Sequence, residues 1–174
     1  FSMDQSPSAP GGGAAPHGRG SSTTKLAAAK KQIEAAIESL PDVATCNQIV
    51  YSESYALWEE SMVPLKRRTR KKADSFIGTV KANGTTNICD ALDRALELAG
   101  AGPLGLPAKA SDLAVDTIFL LSDGDPNRGR VAQLDELLRD FLERNRYARL
   151  VVHTIGIGEA AGSTFLKSLA RQTG

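Results

Sequence analysis

The stretch DTIFLLSDG (116–124) decides the fold class of this chain. Five consecutive apolar or β-branched residues, 117–121, stand in front of a polar Ser-Asp-Gly turn. Such a continuous run is typical of a parallel strand that is buried on both faces. RLVVHTIGIG (149–158) shows the same pattern, so we expect a second buried parallel strand there. His153 lies inside that run, where we expect a hydrogen-bonded core histidine rather than a ligand.

Helical patterns alternate with the strand patterns along the chain. In KLAAAKKQIEAAIESL (25–40), the apolar residues fall on one face at helical spacing. Further helices are predicted at 65–80, 88–99, 131–145 and 163–172, and further strands at 46–52 and 54–58. This alternation predicts an α/β fold: a three-layer αβα, Rossmann-like open sheet, mostly parallel, with one antiparallel edge strand.

Length and composition indicate a single domain over residues 1–174. Gly/Pro-rich segments at 9–24 and 99–112 are expected to be flexible insertions, and the domain is expected to be a part of a longer protein. Two cysteines, Cys46 and Cys89, form no disulfide framework or zinc motif, so buried free thiols are expected. No apolar run approaches the roughly 20 residues that span a membrane.

The basic run KRRTRKK (66–72) places six positive charges in seven residues. It fits either a nucleic-acid or anionic-surface patch, or a solvated helix start whose long side chains cover apolar neighbours. We favour the solvated helix, and no nucleic-acid partner, because no aromatic residue interleaves the run and the net charge of the chain is only +1. Trp58 fits either the core or an exposed contact on an edge strand.

Three polar clusters follow the predicted strands or precede a helix: DQSPS (4–8), GTTN (84–87) and SDGD (122–125). In an open α/β sheet, ligands bind beyond the carboxyl ends of the strands, and these clusters fall at that edge. Carboxylates, hydroxyls and waters are the ligands of a hard divalent cation such as Mg²⁺. Two aspartates with three hydroxyl residues would leave such an ion partly uncompensated and open to an outside carboxylate.

Alone, Asp4, Ser6 and Ser8 are better explained as a polar turn whose side chains bond the local backbone. Thr86 and Asp123, in the other two clusters, shift the balance to a metal site. Asp125 fits a turn residue before Pro126 better than a metal ligand.

The three clusters together resemble the metal-ion-dependent adhesion site of the von Willebrand factor A domain family. DQSPS is similar to the family's DxSxS, NGTTNICDAL to its GGTN-x-x-x-AL segment, and FLLSDGDP to its strand followed by (S/T)DG. CNQIVYSE, VVHTIGIG and FLKSLARQTG resemble intervening segments of bacterial members. The resemblance covers the chain apart from its two insertions, and it implies a protein-binding module rather than an enzyme.

The resemblance also implies a role for each residue of the site. Ser6, Ser8 and Thr86 would bind Mg²⁺ (or Mn²⁺ or Ca²⁺) directly, and Asp4 and Asp123 would bind it directly or through water. An Asp or Glu of a protein partner would complete the coordination. The surrounding rim would comprise Thr85, Asn87, Gly124 and Asp125.

Two features depart from the family pattern. Pro7 stands where the family usually has Gly, which stiffens the loop that carries Ser8. The insertion at 9–24 follows the first cluster directly and would shape the outer face of the site. The compartment stays undetermined, with a lean toward an extracytoplasmic or cell-surface location in a bacterium.

Two other functions compete with metal-dependent adhesion. In a Mg²⁺-dependent phosphotransferase or phosphatase, Asp4 would be the nucleophile. Such sites use D-x-D, however, and the second position here is Ser6, which cannot serve as a general acid at neutral pH. The third reading is a metal-free scaffold domain that uses its basic helix as the contact.

Overall fold

The computed structural model describes residues 19–81, 86–101, 115–122, 133–157 and 163–174, with side chains from Lys25 onward. Within these ranges the helices are α1 (Arg19–Ser39), α2 (Arg67–Thr79), α3 (Ile88–Leu98), α4 (Leu134–Ala148) and α5 (Thr164–Thr173). The strands are β1 (Thr45–Cys46), β2 (Ile49–Tyr51), β3 (Tyr55–Leu57), β4 (Val63–Pro64), β5 (Thr117–Ser122) and β6 (Val151–Gly156).

The two strands predicted from the apolar runs form a parallel pair. β5 and β6 run side by side in register from Thr117 opposite Val151 to Ser122 opposite Gly156. Parallel pairing requires a crossover, and α4 provides it between the two strands. The prediction of an α/β fold with parallel strands is therefore confirmed for this part of the chain.

One face of this strand pair does not match the prediction of burial on both sides. Leu120 and Val152 are buried on one face, whereas Phe119 on the other is 50% exposed. His153 lies opposite Phe119, is exposed, and stacks on its ring with 5.2 Å between the centroids. The expectation of a hydrogen-bonded core histidine is wrong, because an apolar run does not reveal which face of a strand the helices cover.

The main core lies between the buried face of β5–β6 and helices α3, α4 and α5. The helices contribute their apolar stripes, and each stripe follows the helical spacing seen in the sequence. The largest fully buried side chains of this core are those of Ile88, Leu96, Leu137, Phe141, Leu150, Val152 and Leu169.

The end of α4 is fixed by a buried asparagine. Asn145 donates to the carbonyl oxygen of Leu150 and accepts from its N–H, both at 2.8 Å. The intervening Arg149 has φ of 54°, the left-handed conformation that ends many helices. This turn leads directly into β6, so α4 extends to Ala148 rather than to the predicted Asn145.

The segment predicted as one strand over 46–52 is divided by Asn47. Its Oδ1 accepts from the N–H of Gln48 at 2.7 Å and of Glu59 at 3.3 Å, and its amide donates to the carbonyl oxygens of Glu59 and Ser61. A side chain that bonds the backbone in this way replaces ladder hydrogen bonds. β1 consequently pairs with β4, while β2 pairs antiparallel with β3, which confirms the predicted short neighbouring strand.

Helices α1 and α2 pack together around a smaller core of Ile37, Leu65 and Ala73, with Trp58 half-buried against it. Arg70 of α2 is 8% exposed and is the main polar link between the two helices. Its guanidinium donates to the carbonyl oxygens of Ile37 and Leu40, and to Asp42 at 3.0 Å. The last carbonyls of a helix lack intrahelical partners, so Arg70 satisfies the end of α1.

A second set of charges between these helices is repulsive. Burial raises the pKa of the Asp74 carboxyl, and the nearby Glu34 and Glu38 of α1 raise it further, against the opposing charge of Arg70. Asp74 Oδ1 is buried and has no hydrogen-bond partner within the described residues. The negative charge of Asp74 therefore opposes the packing of α1 on α2.

The ends of two predicted insertions differ from expectation. The predicted loop at 9–24 includes residues 19–24, which form the first turns of α1, because adding residues to an established helix is favourable. Of the segment 99–112, residues 99–101 are described, and Ala99 and Ala101 are buried. The rest of both insertions lies outside the described residues. Among the helices that the structure describes, none is long and apolar enough to cross a membrane.

Candidate functional site

The candidate site is the edge of the sheet that carries the turn before α3. Of the predicted metal ligands, Thr86 lies in the described part of the chain and is half-buried. The rim residue Asn87 is also described. The other predicted ligands and rim residues lie outside the described residues: Asp4, Ser6, Ser8, Thr85, Asp123, Gly124 and Asp125.

Asn87 begins α3 and is almost completely buried, with 3% of its surface exposed. Its Oδ1 accepts from the backbone N–H of Asp90 at 3.2 Å, which satisfies one of the free donors of the first helical turn. Its amide donates to Asp90 Oδ2 at 2.6 Å. Asn87 is therefore the N-cap of α3, and both polar atoms of its side chain are engaged in hydrogen bonds.

The same residue ties the turn to the end of β2. The N–H of Asn87 donates to the carbonyl oxygen of Ser52 at 2.9 Å, and its side-chain amide donates to that of Glu53 at 3.2 Å. Four hydrogen bonds from one buried residue, two to α3 and two to the segment after β2, leave the backbone little freedom. Thr86, the residue before it, is consequently held at the carboxyl end of β2.

A tyrosine brings the end of β5 to the same edge. Tyr51, the last residue of β2, donates its hydroxyl to the carbonyl oxygen of Leu121 at 2.7 Å. Ser122 follows, is buried, and accepts at its carbonyl oxygen from the N–H of Ile157 just beyond β6. The ends of β2, β5 and β6 and the start of α3 therefore meet at one edge, which the sequence analysis identified as the binding edge.

The electrostatics of this edge combine opposite contributions. The N-terminus of α3 carries partial positive charge, which disfavours a cation. Asp90 in the first helical turn and the exposed carboxylate of Glu53 add negative charge beside Thr86. A threonine hydroxyl in such surroundings is a neutral oxygen ligand for a hard divalent cation, and Mg²⁺ accepts such ligands together with carboxylates and water. Within the described residues, Thr86 is the one predicted ligand, and its hydroxyl is chemically compatible with such a cation.

A second group of possible metal ligands lies on the first two turns of α3. One ligand atom each of Cys89, Asp90 and Asp93 lies within 4.8 Å of the others. Both carboxylates are already bonded, Asp90 to Asn87 and Asp93 to Arg144 of α4. These contacts hold α3 in place on its neighbours, and they account for the cluster without a metal ion.

Sequence reasoning missed the contribution of Tyr51. An aromatic residue in a strand is usually interpreted as a core residue. Nothing in the local sequence indicates that the Tyr51 hydroxyl bonds a strand seventy positions further along the chain. The capping role of Asn87 has a local signal, since an asparagine in front of an apolar helical pattern is a favoured cap. No local sequence signal indicates the bonds of Asn87 to Ser52 and Glu53.

Comparison with known proteins gives a family-level match. The model of the family described as von Willebrand factor type A domain matches residues 17–174. The matched range includes Thr86 and Asp123 but not the DQSPS segment at 4–8.

Among curated proteins, the human inter-alpha-trypsin inhibitor heavy chain H4 is 31% identical over 146 residues, which cover 81% of this chain and 15% of that protein. The bovine inter-alpha-trypsin inhibitor heavy chain H3 is 26% identical over 158 residues, covering 88% of this chain and 16% of that protein. The chain thus spans about a sixth of the length of these relatives.

A solved structure shares the fold. The von Willebrand factor type A protein from Catenulispora acidiphila superposes with a TM-score of 0.58 at 20% sequence identity, over 86% of this chain and 38% of that one. This similarity confirms the three-layer, Rossmann-like αβα class.

Proposed function

This chain belongs to the von Willebrand factor type A domain family, a family of protein-interaction modules, and from that premise we propose that it is a metal-dependent one. In this proposal, Asp4, Ser6, Ser8, Thr86 and Asp123 hold one divalent cation, Mg²⁺ or one of its substitutes Mn²⁺ and Ca²⁺. An Asp or Glu of a protein partner then binds at the open side of the site. The proposal concerns binding and includes no catalytic step.

The observation that supports the proposal is the meeting of strand ends around the start of α3. Asn87 fixes the Thr86 backbone to β2, and Tyr51 fixes β2 to the end of β5, one residue before Ser122 and two before Asp123. Through these bonds, β2 links the residue after Thr86 with the end of β5, which precedes Asp123 in the sequence. A preorganised site loses less entropy on binding than a flexible one.

In this site the proposed ligands differ in charge. A bound divalent cation would supply a centre of positive charge that attracts a carboxylate. The hydroxyls of Ser6, Ser8 and Thr86 are neutral, so only Asp4 and Asp123 reduce that charge. The hydrogen bonds of Asn87 hold the backbone next to Thr86 against α3 and the segment after β2.

A pull-down with matched variants tests this proposal. The immobilised chain is exposed to candidate partner proteins with Mg²⁺ or with EDTA, and the wild type is compared with Asp123→Asn and Asp116→Asn. Asp116 is an exposed aspartate just before the other end of β5, so its variant makes the same chemical change away from the site. We expect binding that requires Mg²⁺, is lost in Asp123→Asn, and persists in Asp116→Asn.

Two results would contradict the proposal. Partner binding that is equally strong in EDTA and in the Asp123→Asn variant would instead support the metal-free scaffold. Phosphatase activity that requires Mg²⁺ and Asp4 would support the enzyme, although Ser6 stands where a DxD site has its second carboxylate.

A further inference from the structure

A groove lies along α2, away from the edge that carries Thr86. Its volume is about 520 Å³, and it is open to solvent along its length. Trp58, from the segment after β3, and Phe76 of α2 supply its aromatic surface. Neither Thr86 nor Asn87, the predicted site residues that the structure describes, lines it.

The groove lies on the face of α2 that points away from α1. Arg68, Lys72, Ser75 and Thr79 recur at intervals of four, three and four residues, so they form one stripe along the helix. The opposite stripe, which includes Arg70, faces α1 and its core. Trp58 is anchored beside the groove by its backbone N–H, which donates to the carbonyl oxygen of Gln48 at 3.0 Å.

The cations of this face are unpaired within the described part of the chain. Arg68, Lys71 and Lys72 are exposed, and no ion pair there joins any of them to a carboxylate. The one α2 cation that has a carboxylate partner in that part is Arg70. Three positive charges thus border two aromatic side chains. Trp58 and Phe76 are each half-buried, so part of each ring is open to a ligand.

We propose that this groove binds an acidic peptide segment of a partner protein. An apolar side chain of the segment packs on Trp58 and Phe76, and its carboxylates lie beside Arg68, Lys71 and Lys72. Aromatic anchors bordered by cations are characteristic of protein interfaces, and complementary charge sets both specificity and association rate. This surface is independent of the proposed metal site and gives the domain a second contact.

The charges around the groove favour a peptide over a nucleic acid. Glu59 and Glu60 follow Trp58 directly in the sequence and, although neither lines the groove, they add negative charge to the segment that carries Trp58. A phosphate backbone carries a charge at every step and requires a continuous basic track. A peptide whose carboxylates all lie on one side of its apolar residue can place them beside the cations and away from the two glutamates. A short peptide of this kind also fits a groove of this size.

Fluorescence anisotropy with a labelled peptide tests the inference. The probe is a short peptide with a central Leu-Phe pair, preceded by aspartates and glutamates, and EDTA is present throughout. We expect binding that the double reversal Lys71→Glu/Lys72→Glu weakens about tenfold, since each reversed charge loses one favourable pair and gains a repulsive one. Lys31→Glu/Lys167→Glu changes the net charge equally at exposed sites outside the groove and should leave binding unchanged.

Further arms separate the apolar contact from charge alone. Trp58→Ala in the chain, or Ser-Ser in place of Leu-Phe in the peptide, should each weaken binding several-fold. The peptide change keeps the test valid if Trp58→Ala unfolds the small core. The proposal is overturned if the peptide does not bind, if both double reversals weaken it equally, or if an oligothymidylate of equal charge displaces it more strongly than the unlabelled peptide. Because EDTA is present, failure here does not bear on the metal site.

Discussion

Replacing Asn87 by alanine should destabilise the domain by about 2–4 kcal/mol. The cap that Asn87 Oδ1 makes to the N–H of Asp90 contributes about 1 kcal/mol. The two bonds donated by its amide, to the Glu53 carbonyl and to the Asp90 carboxylate, contribute about 0.5–1.5 kcal/mol each. Asn87 is 3% exposed, so water cannot easily replace these bonds in the variant.

Asn87→Ser separates the cap from the two tethering bonds. Serine is as good a cap as asparagine but has no amide, so it should recover about 1 kcal/mol of the loss and no more. Urea unfolding followed by circular dichroism measures both variants. In a domain of this length, about 2–4 kcal/mol lowers the midpoint of thermal unfolding by about 4–16 °C.

Two results would refute this reasoning. A loss below about 0.5 kcal/mol in Asn87→Ala would mean that the cap and the tethers contribute little. Full recovery in Asn87→Ser would mean that the bonds to Glu53 and Asp90 do not hold the turn. In either case Thr86 would not be fixed to β2 in the way described above.

Three further predictions concern Arg70 and Asp74 of α2 and the thiol of Cys46. Arg70→Met should lower the free energy of unfolding by about 2–3 kcal/mol, since it leaves the Leu40 carbonyl without a donor and the Ile37 carbonyl with only the long 3.4 Å bond from the Leu40 N–H. Asp42→Asn should cost less than about 0.5 kcal/mol because the Asp42 side chain is 85% exposed. Equal losses in urea unfolding would be inconsistent with capping. Asp74→Asn should raise the thermal midpoint at pH 7. Because the folded pKa lies above the ordinary value of 3.8, ionisation of Asp74 costs the fold nothing below pH 3.8, an increasing amount between the two pKa values, and the full amount above the folded one, so the advantage of the variant should disappear as the pH falls below 3.8. An advantage that does not change with pH would contradict this. Burial raises the pKa of the Cys46 thiol. At pH 8 this thiol should therefore react with a disulfide reagent more slowly in the native chain than in urea. Equal rates would show that Cys46 is accessible in the native chain.

Much of the secondary structure follows from local sequence. The apolar runs of β5 and β6 and the helical spacing of α3, α4 and α5 each identify an element to within three residues at its ends. These segments agree with their final structure because the same residues that favour the element also supply its buried face.

The differences from prediction come from contacts that link distant parts of the chain. Asn47 divides a strand because its amide bonds to residues that lie twelve and fourteen positions later. Phe119 and His153 are exposed because burial of a sheet face depends on which helices cover it, and that is not a local property. The cluster of aspartate, serine and threonine positions could be read from the sequence, whereas the Tyr51 hydroxyl that joins two strand ends could not.

The most direct test of the account is isothermal titration of Mn²⁺ and Mg²⁺ into the chain. We expect one ion to bind per chain, and Thr86→Ala and Asp123→Asn each to weaken its affinity by about tenfold or more. Thr45→Ala and Asp116→Asn, at exposed positions outside the site, should leave it unchanged. If no ion binds the wild-type chain, or if all four variants bind it as the wild type does, the edge that holds Thr86 is not a metal site.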